Sequence, residues 1–96
     1  MTEAQKEQRR YALAVSGGVC ANCGGPLGAH AQGAHLIGNT EVNRRKWGSF
    51  VIDHRFNIVM TCSLACNDAV DISKDTGACI RLIKRIYDAE ILRYNQ

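Results

Sequence analysis

Residues 20–25 read Cys20-Ala21-Asn22-Cys23-Gly24-Gly25, and residues 62–66 read Cys62-Ser63-Leu64-Ala65-Cys66. The first is a tight CxxC turn whose glycines free the backbone to curl around a sulfur; the second is a slightly wider pair. Two pairs of thiolates suit a tetrahedral S4 zinc site, and four protein sulfurs leave no open coordination position, so such an ion is structural. A redox CxxC, or a set of reduced core cysteines, explains one pair and leaves the other a coincidence. Disulfides are the remaining option. Met1 to Arg10 is charged and lacks the apolar segment of a secretory signal, so the expected location is the reducing cytoplasm, where closely spaced thiols bind metal more often than they cross-link. Cys79, the fifth cysteine, falls in an apolar helical pattern and reads as a small buried hydrophobe.

Working outward, a chain of 96 residues holds one hydrophobic core and not two. At 46% hydrophobic and 22% charged, its composition is that of a soluble globular domain, and no apolar run approaches membrane-spanning length. Thr2 and Gln5 form a capping-box pattern that opens a helix over about 3–15, stopped by Gly17 and Gly18. The first knuckle covers 19–28. Gly33 to Ile37 reads as a short strand ended by a Gly38-Asn39 turn, followed by a loop and an extended stretch from Ser49 to Asp53. Ile58-Val59-Met60-Thr61 is a β-branched, apolar strand that delivers the chain into Cys62. A short helix over about 64–72 follows, and a longer one over about 78–94 carries Ile80, Ile83, Ile86, Tyr87 and Ile91 as an expected core stripe. The expected fold class is α+β: one domain, 1–96, with a zinc-bound core over about 19–72 and flanking helices that share a core built around the metal.

The net charge of +3 and a pI near 8.7 permit a nucleic-acid partner without requiring one. Basic residues fall in three clusters: Arg9 and Arg10; Arg44, Arg45 and Lys46 followed by Trp47; and Arg81, Lys84 and Arg85. The first and third lie on helices and read as solvated faces. The middle one, placed in a loop with Asn39 and Asn43, reads either as another solvated face or as a phosphate-contacting surface with one aromatic to anchor or stack. His30, in a glycine- and alanine-rich loop, is assigned no role.

One order of residues remains: Ala34-His35-Leu36-Ile37, then Asn57-Ile58-Val59-Met60-Thr61-Cys62, then Cys66-Asn67-Asp68. It resembles the zinc-containing, treble-clef branch of the HNH endonuclease family, whose ββα-metal core carries a histidine on the first strand, an asparagine in the loop and a metal-binding histidine or asparagine on the helix. Cysteine pairs frame that core where Cys20/Cys23 and Cys62/Cys66 stand. The resemblance covers about Cys20 to Ile72 and leaves the terminal helices outside.

The resemblance implies an endonuclease acting on DNA. A neutral His35 would take a proton from the attacking water, Asn57 would orient it through backbone contacts, and Asn67 would help hold a divalent ion such as Mg2+ near the leaving oxygen. It also implies that Arg44, Arg45, Lys46 and Trp47 lie beside the substrate. Ala34 departs from the family, which commonly has an aspartate or histidine ligand there. His54 or Asp53 could replace it if the loop folds back over the hairpin; His54 could equally cap or pack that loop. The alternative function is an HNH-fold zinc module that has lost the catalytic ion and serves as a DNA- or protein-binding adaptor. Nothing in so small a chain reads base sequence, so a targeting protein is a further expected partner.

Overall fold

The computed structural model describes residues 1–95. Helix α1 (Glu3–Val15) opens on the expected capping box, in which the Gln5 N–H donates to the Thr2 hydroxyl oxygen at 3.1 Å and the Thr2 N–H donates to the Gln5 side chain at 3.0 Å. Gly17 and Gly18, at φ 65° and 79°, turn the chain away into the knuckle. Strand β1 (Gln32–His35) pairs antiparallel with β2 (Ile58–Thr61), placing Gly33 opposite Met60, Ala34 opposite Val59 and His35 opposite Ile58. Between the strands lie α2 (Glu41–Trp47), α3 (Ser49–Ile52) and a single 3-10 turn over Arg55–Asn57. After β2 come α4 (Leu64–Ala69) and α5 (Thr76–Tyr94). The architecture is α+β: five helices and a two-stranded sheet.

Two expectations for the connection between the strands are overturned. Residues 41–47, read as loop, form α2. Thr40 caps it by accepting from the Asn43 N–H at 3.1 Å, Glu41 sits in its first turn, and Gly48 ends it at φ 92°. Ser49 to Asp53, read as extended, coils into α3 because Val51 and Ile52 must both turn inward, and both are buried.

The core is not built around the metal cysteines. The larger apolar cluster, Ile37, Val51, Ile52, Cys79, Leu82 and Ile86, joins α3 and α5 to the segment following β1, with Leu36, Trp47, Phe56, Ile72 and Ile83 packed against it. A smaller cluster of Ala12, Ile58 and Met60 seats α1 on the sheet. Cys79 is the buried hydrophobe expected. The α5 stripe differs: Ile86 is buried and Ile83 partly so, but Ile80, Tyr87 and Ile91 are exposed. Positions 79, 82, 83 and 86 are the i, i+3, i+4, i+7 set that faces inward, and the single most buried of them besides Ile86 is the cysteine, which hydropathy counting passes over.

Asn57 is the buried polar pin of this fold. Its Oδ1 accepts from the Ile37 N–H at 2.8 Å, and its Nδ2 donates to the Ile37 and Ile52 carbonyls, each at 3.0 Å. The side chain thus satisfies backbone groups at the exit of β1 and the end of α3 at once. Asn57→Ala leaves those groups without partners in a site closed to water. The expected loss is about 3 kcal/mol or more, read as a lower urea midpoint with an unchanged slope.

Candidate functional site

The four sulfurs of Cys20, Cys23, Cys62 and Cys66 lie within 4.8 Å of one another. Cys23 and Cys62 are 3.6 Å apart and Cys62 and Cys66 3.8 Å. Thiolates at about 2.3 Å from a tetrahedral zinc ion are separated by about 3.8 Å, so the cage has the dimensions that ion needs. These residues form a site able to bind a metal such as zinc in a structural role. Among the described residues no other group of three or more His, Cys, Asp or Glu side chains converges in this way.

Local structure explains the convergence. In the first knuckle the Cys20 N–H donates to the Gly25 carbonyl at 2.8 Å and the Gly24 N–H to the Cys20 carbonyl at 3.0 Å, with Gly24 at φ 74°. Val19 bridges to Pro26 across its base. The Ala21 N–H donates to the Met60 carbonyl at 2.9 Å, tying the knuckle to the strand that leads to Cys62. Ser63 caps α4 by accepting from the Cys66 N–H. Two further donors face sulfur: Asn22 Nδ2 to Cys66 Sγ and the Gly25 N–H to Cys23 Sγ, both at 3.4 Å. The cluster's proton affinity is uneven. Hydrogen bonding from the Cys23 backbone, foremost among several contacts, draws Cys20 down to about 6, whereas sharing protons with the Cys23, Cys20 and Cys66 side chains pushes Cys62 up to about 12. Sulfurs this close hold four negative charges together only around a cation.

His35 stands at the end of β1, on the sheet face it shares with Gly33, Ile58 and Met60. Its Nε2 is buried without a hydrogen-bond partner. Burial lowers its pKa from the ordinary 6.5, with Asp53 opposing the shift and Arg44 adding to it. Asn57 holds the backbone that follows His35: the Leu36 N–H donates to the Asn57 carbonyl at 2.9 Å, and the Asn57 side chain brackets Ile37.

The other candidates named from the sequence fall elsewhere, and several are corrected. His54 is not available as a ligand. It is buried, its Nδ1 accepts from the Phe56 N–H at 3.1 Å, and its Nε2 lies 3.0 Å from Glu90 Oε1 on α5. The ring therefore caps the 3-10 turn and pairs with Glu90, whose pKa is lowered chiefly by that bond. Asp53 is held by Arg44, with Nη2–Oδ1 at 2.6 Å and Nη1–Oδ2 at 3.1 Å. Arg44 also donates to Asn39 and Ser49, so its guanidinium closes the α2–α3 corner and has little left for a phosphate. Trp47 packs partly against the larger core, with the Lys46 ammonium 5.0 Å from its ring centre, which occupies the face expected to stack on a base. Arg45 is exposed and paired with Glu41. Asn67 Nδ2 donates to Gln32 Oε1 at 3.1 Å, and Ala34 is fully buried.

One residue that reads in the sequence only as a solvated cation lies over β1 at Gly33, two positions before His35. Arg9 Nη1 lies 3.5 Å from the point a Cβ on Gly33 would occupy. Its neighbour Arg10 pairs with Glu7, and Arg55 and Arg85 stack on Phe56. Among the described residues Arg9 makes no ion pair and no aromatic contact. The sequence signal was the partner count on α1: Glu7 sits three positions before Arg10, while Arg9 has no acid three or four positions away on α1. No family model, curated protein or solved structure matches this chain.

Proposed function

We propose that the chain is an HNH-type endonuclease that hydrolyses DNA phosphodiester bonds on a zinc-stapled ββα core, with His35 as general base. The observation that carries this reading is the setting of His35: an imidazole at a strand end whose pKa burial lowers, with Nε2 sealed inside without a partner. Two antiparallel strands followed by α4, with cysteine pairs at the entry and exit, support it.

In this mechanism Nδ1 of His35 accepts a proton as the water oxygen bonds to phosphorus, and the bond from phosphorus to the 3′-oxygen breaks, the leaving oxygen taking its proton from solvent. Arg9 supplies positive charge to the phosphate as it gains negative charge. The zinc, held by four thiolates, maintains the frame and takes no part. The residues present do not make a cage for a second, catalytic ion. The position before His35 is a buried methyl group, His54 and Asp53 are committed to Glu90 and Arg44, and Asn67, whose Nδ2 donates to Gln32, has only its neutral Oδ1 to offer. No step is therefore routed through one.

That same absence of carboxylate and imidazole ligands around Asn67 favours a second reading, a DNA-binding zinc module without hydrolytic activity. Nicking of supercoiled plasmid by the zinc-loaded protein, with and without added Mg2+ or Mn2+, separates the two. Nicking is expected; DNA retarded in a gel shift but never cut would establish the adaptor instead.

Two further outcomes are expected. Arg9→Ala lowers kcat/KM by about 10- to 100-fold, the loss of one charge-assisted contact, whereas Arg10→Ala, whose guanidinium serves Glu7, leaves it unchanged. The pH profile of kcat/KM falls on the acid side with a midpoint below the ordinary histidine value of 6.5, because burial depresses the His35 pKa and only the deprotonated ring is a base.

A further inference from the structure

Helix α5 has a second apolar face that the domain leaves uncovered. Ile80, Tyr87, Ile91 and Tyr94 are 55%, 49%, 58% and 90% exposed, while Cys79, Leu82 and Ile86 take the inward side. Together with Lys84 they are spaced four, three, four and three residues apart, the spacing of a helix–helix seam. Phe50 of α3, half exposed, widens the stripe, its ring centre 5.7 Å from that of Tyr87. A cavity of about 490 Å³ opens between Phe50, Tyr87, Ile91 and Tyr94.

We propose that this face is a self-association surface, on which a second copy of the chain lays its own α5 antiparallel about a two-fold axis near Tyr87. Charge selects both occupant and direction. Lys84, at the edge of the seam, pairs with Asp88 just outside it as an exposed pair at 2.8 Å. Antiparallel packing joins like flanks of the two helices, so Lys84 of each chain comes alongside the partner's Asp88 and the pairs exchange across the axis. Parallel packing would set Lys84 against the partner's Lys84 within the seam. The same two-fold brings the partner's Ile80 opposite Tyr94, at the mouth of the cavity, so each chain supplies both the knob and the hole. Four residues of one helix and Phe50 make a small apolar patch, so a weak, concentration-dependent dimer is expected.

The test is sedimentation velocity of the full zinc-loaded chain over a concentration series. The weight-average coefficient should rise from the monomer to the dimer value. Tyr87→Glu and Ile91→Glu, at exposed positions that leave the fold and metal content intact, should each weaken dimerisation by about ten-fold or more. Lys84→Glu should also weaken it, and Lys84→Glu combined with Asp88→Lys should restore it. A chain that stays monomeric at every concentration, or one that dimerises unaffected by Tyr87→Glu and Ile91→Glu, would overturn the proposal. Failure of the charge exchange to restore association would overturn the antiparallel arrangement.

Discussion

Stripping the metal with a strong chelator, or replacing Cys62 by Ser, abolishes cooperative unfolding: far-ultraviolet circular dichroism shows a broad, shallow thermal response, and the resonance dispersion of the folded chain collapses. The expected magnitude follows from comparing two quantities. Structural zinc bound by thiolates contributes about 10–16 kcal/mol of apparent binding free energy at neutral pH, whereas a domain of this size has about 5–15 kcal/mol of total stability. Little else holds the region together. The segment between α1 and β1 has one isolated bridge, Val19 to Pro26, and the apolar cluster under it consists of Ala12, Ile58 and Met60 with Leu27 and Ala31 at its edge. Cys79→Ala is the control: Cys79 lies in the other cluster and donates weakly to the Ile72 carbonyl, so that variant retains one ion per chain. Acid acts in the same direction as chelation. The ligands bind metal as thiolates, so protons compete with the ion for all four sulfurs and binding weakens as the pH falls. Metal release, followed with a zinc indicator, should therefore rise and track the loss of circular dichroism as the pH is lowered.

Replacing His35 by Ala removes plasmid nicking by about 10²- to 10⁴-fold, the usual contribution of a positioned general base, while metal content, urea midpoint and DNA retardation stay close to those of the native chain. The structure explains why stability should be spared. Nε2 has no partner to lose, and because burial lowers the His35 pKa the ring costs stability as the pH falls, a penalty the alanine variant lacks. The variant therefore separates chemistry from folding, which Asn57→Ala does not, since Asn57 braces Ile37 and Ile52. Equal nicking by His35→Ala and the native chain would remove His35 from the mechanism and leave the zinc module as the reading of this fold.

Features that depend on neighbours along the chain were legible in the amino-acid order. The Thr2/Gln5 capping box, the helix stop at Gly17-Gly18, the apolar strand Ile58–Thr61 and the CxxC and CxxxC spacings are local patterns, and each stands in the structure where its residues put it. The burial of Cys79 was legible for the same reason. Short polar helices were not. Helix α2 is seven residues long with no buried side chain, so its sequence carries no apolar period to read, only the cap at Thr40 and the Glu41–Arg45 pair. Which charges are free depended instead on packing. Arg44 looked available in a basic run until Asp53, Asn39 and Ser49 met it from α3 and the preceding turn. His54 read equally as a metal ligand or as a cap on its loop until Glu90, thirty-six residues away, reached it from α5. Arg9 looked like one more solvated cation until Gly33 came beneath it. Hydrogen bonds and ion pairs act over about 3 Å in space, and sequence separation says nothing about that distance. A site built from such contacts becomes visible only when the strands and helices carrying its side chains have been packed.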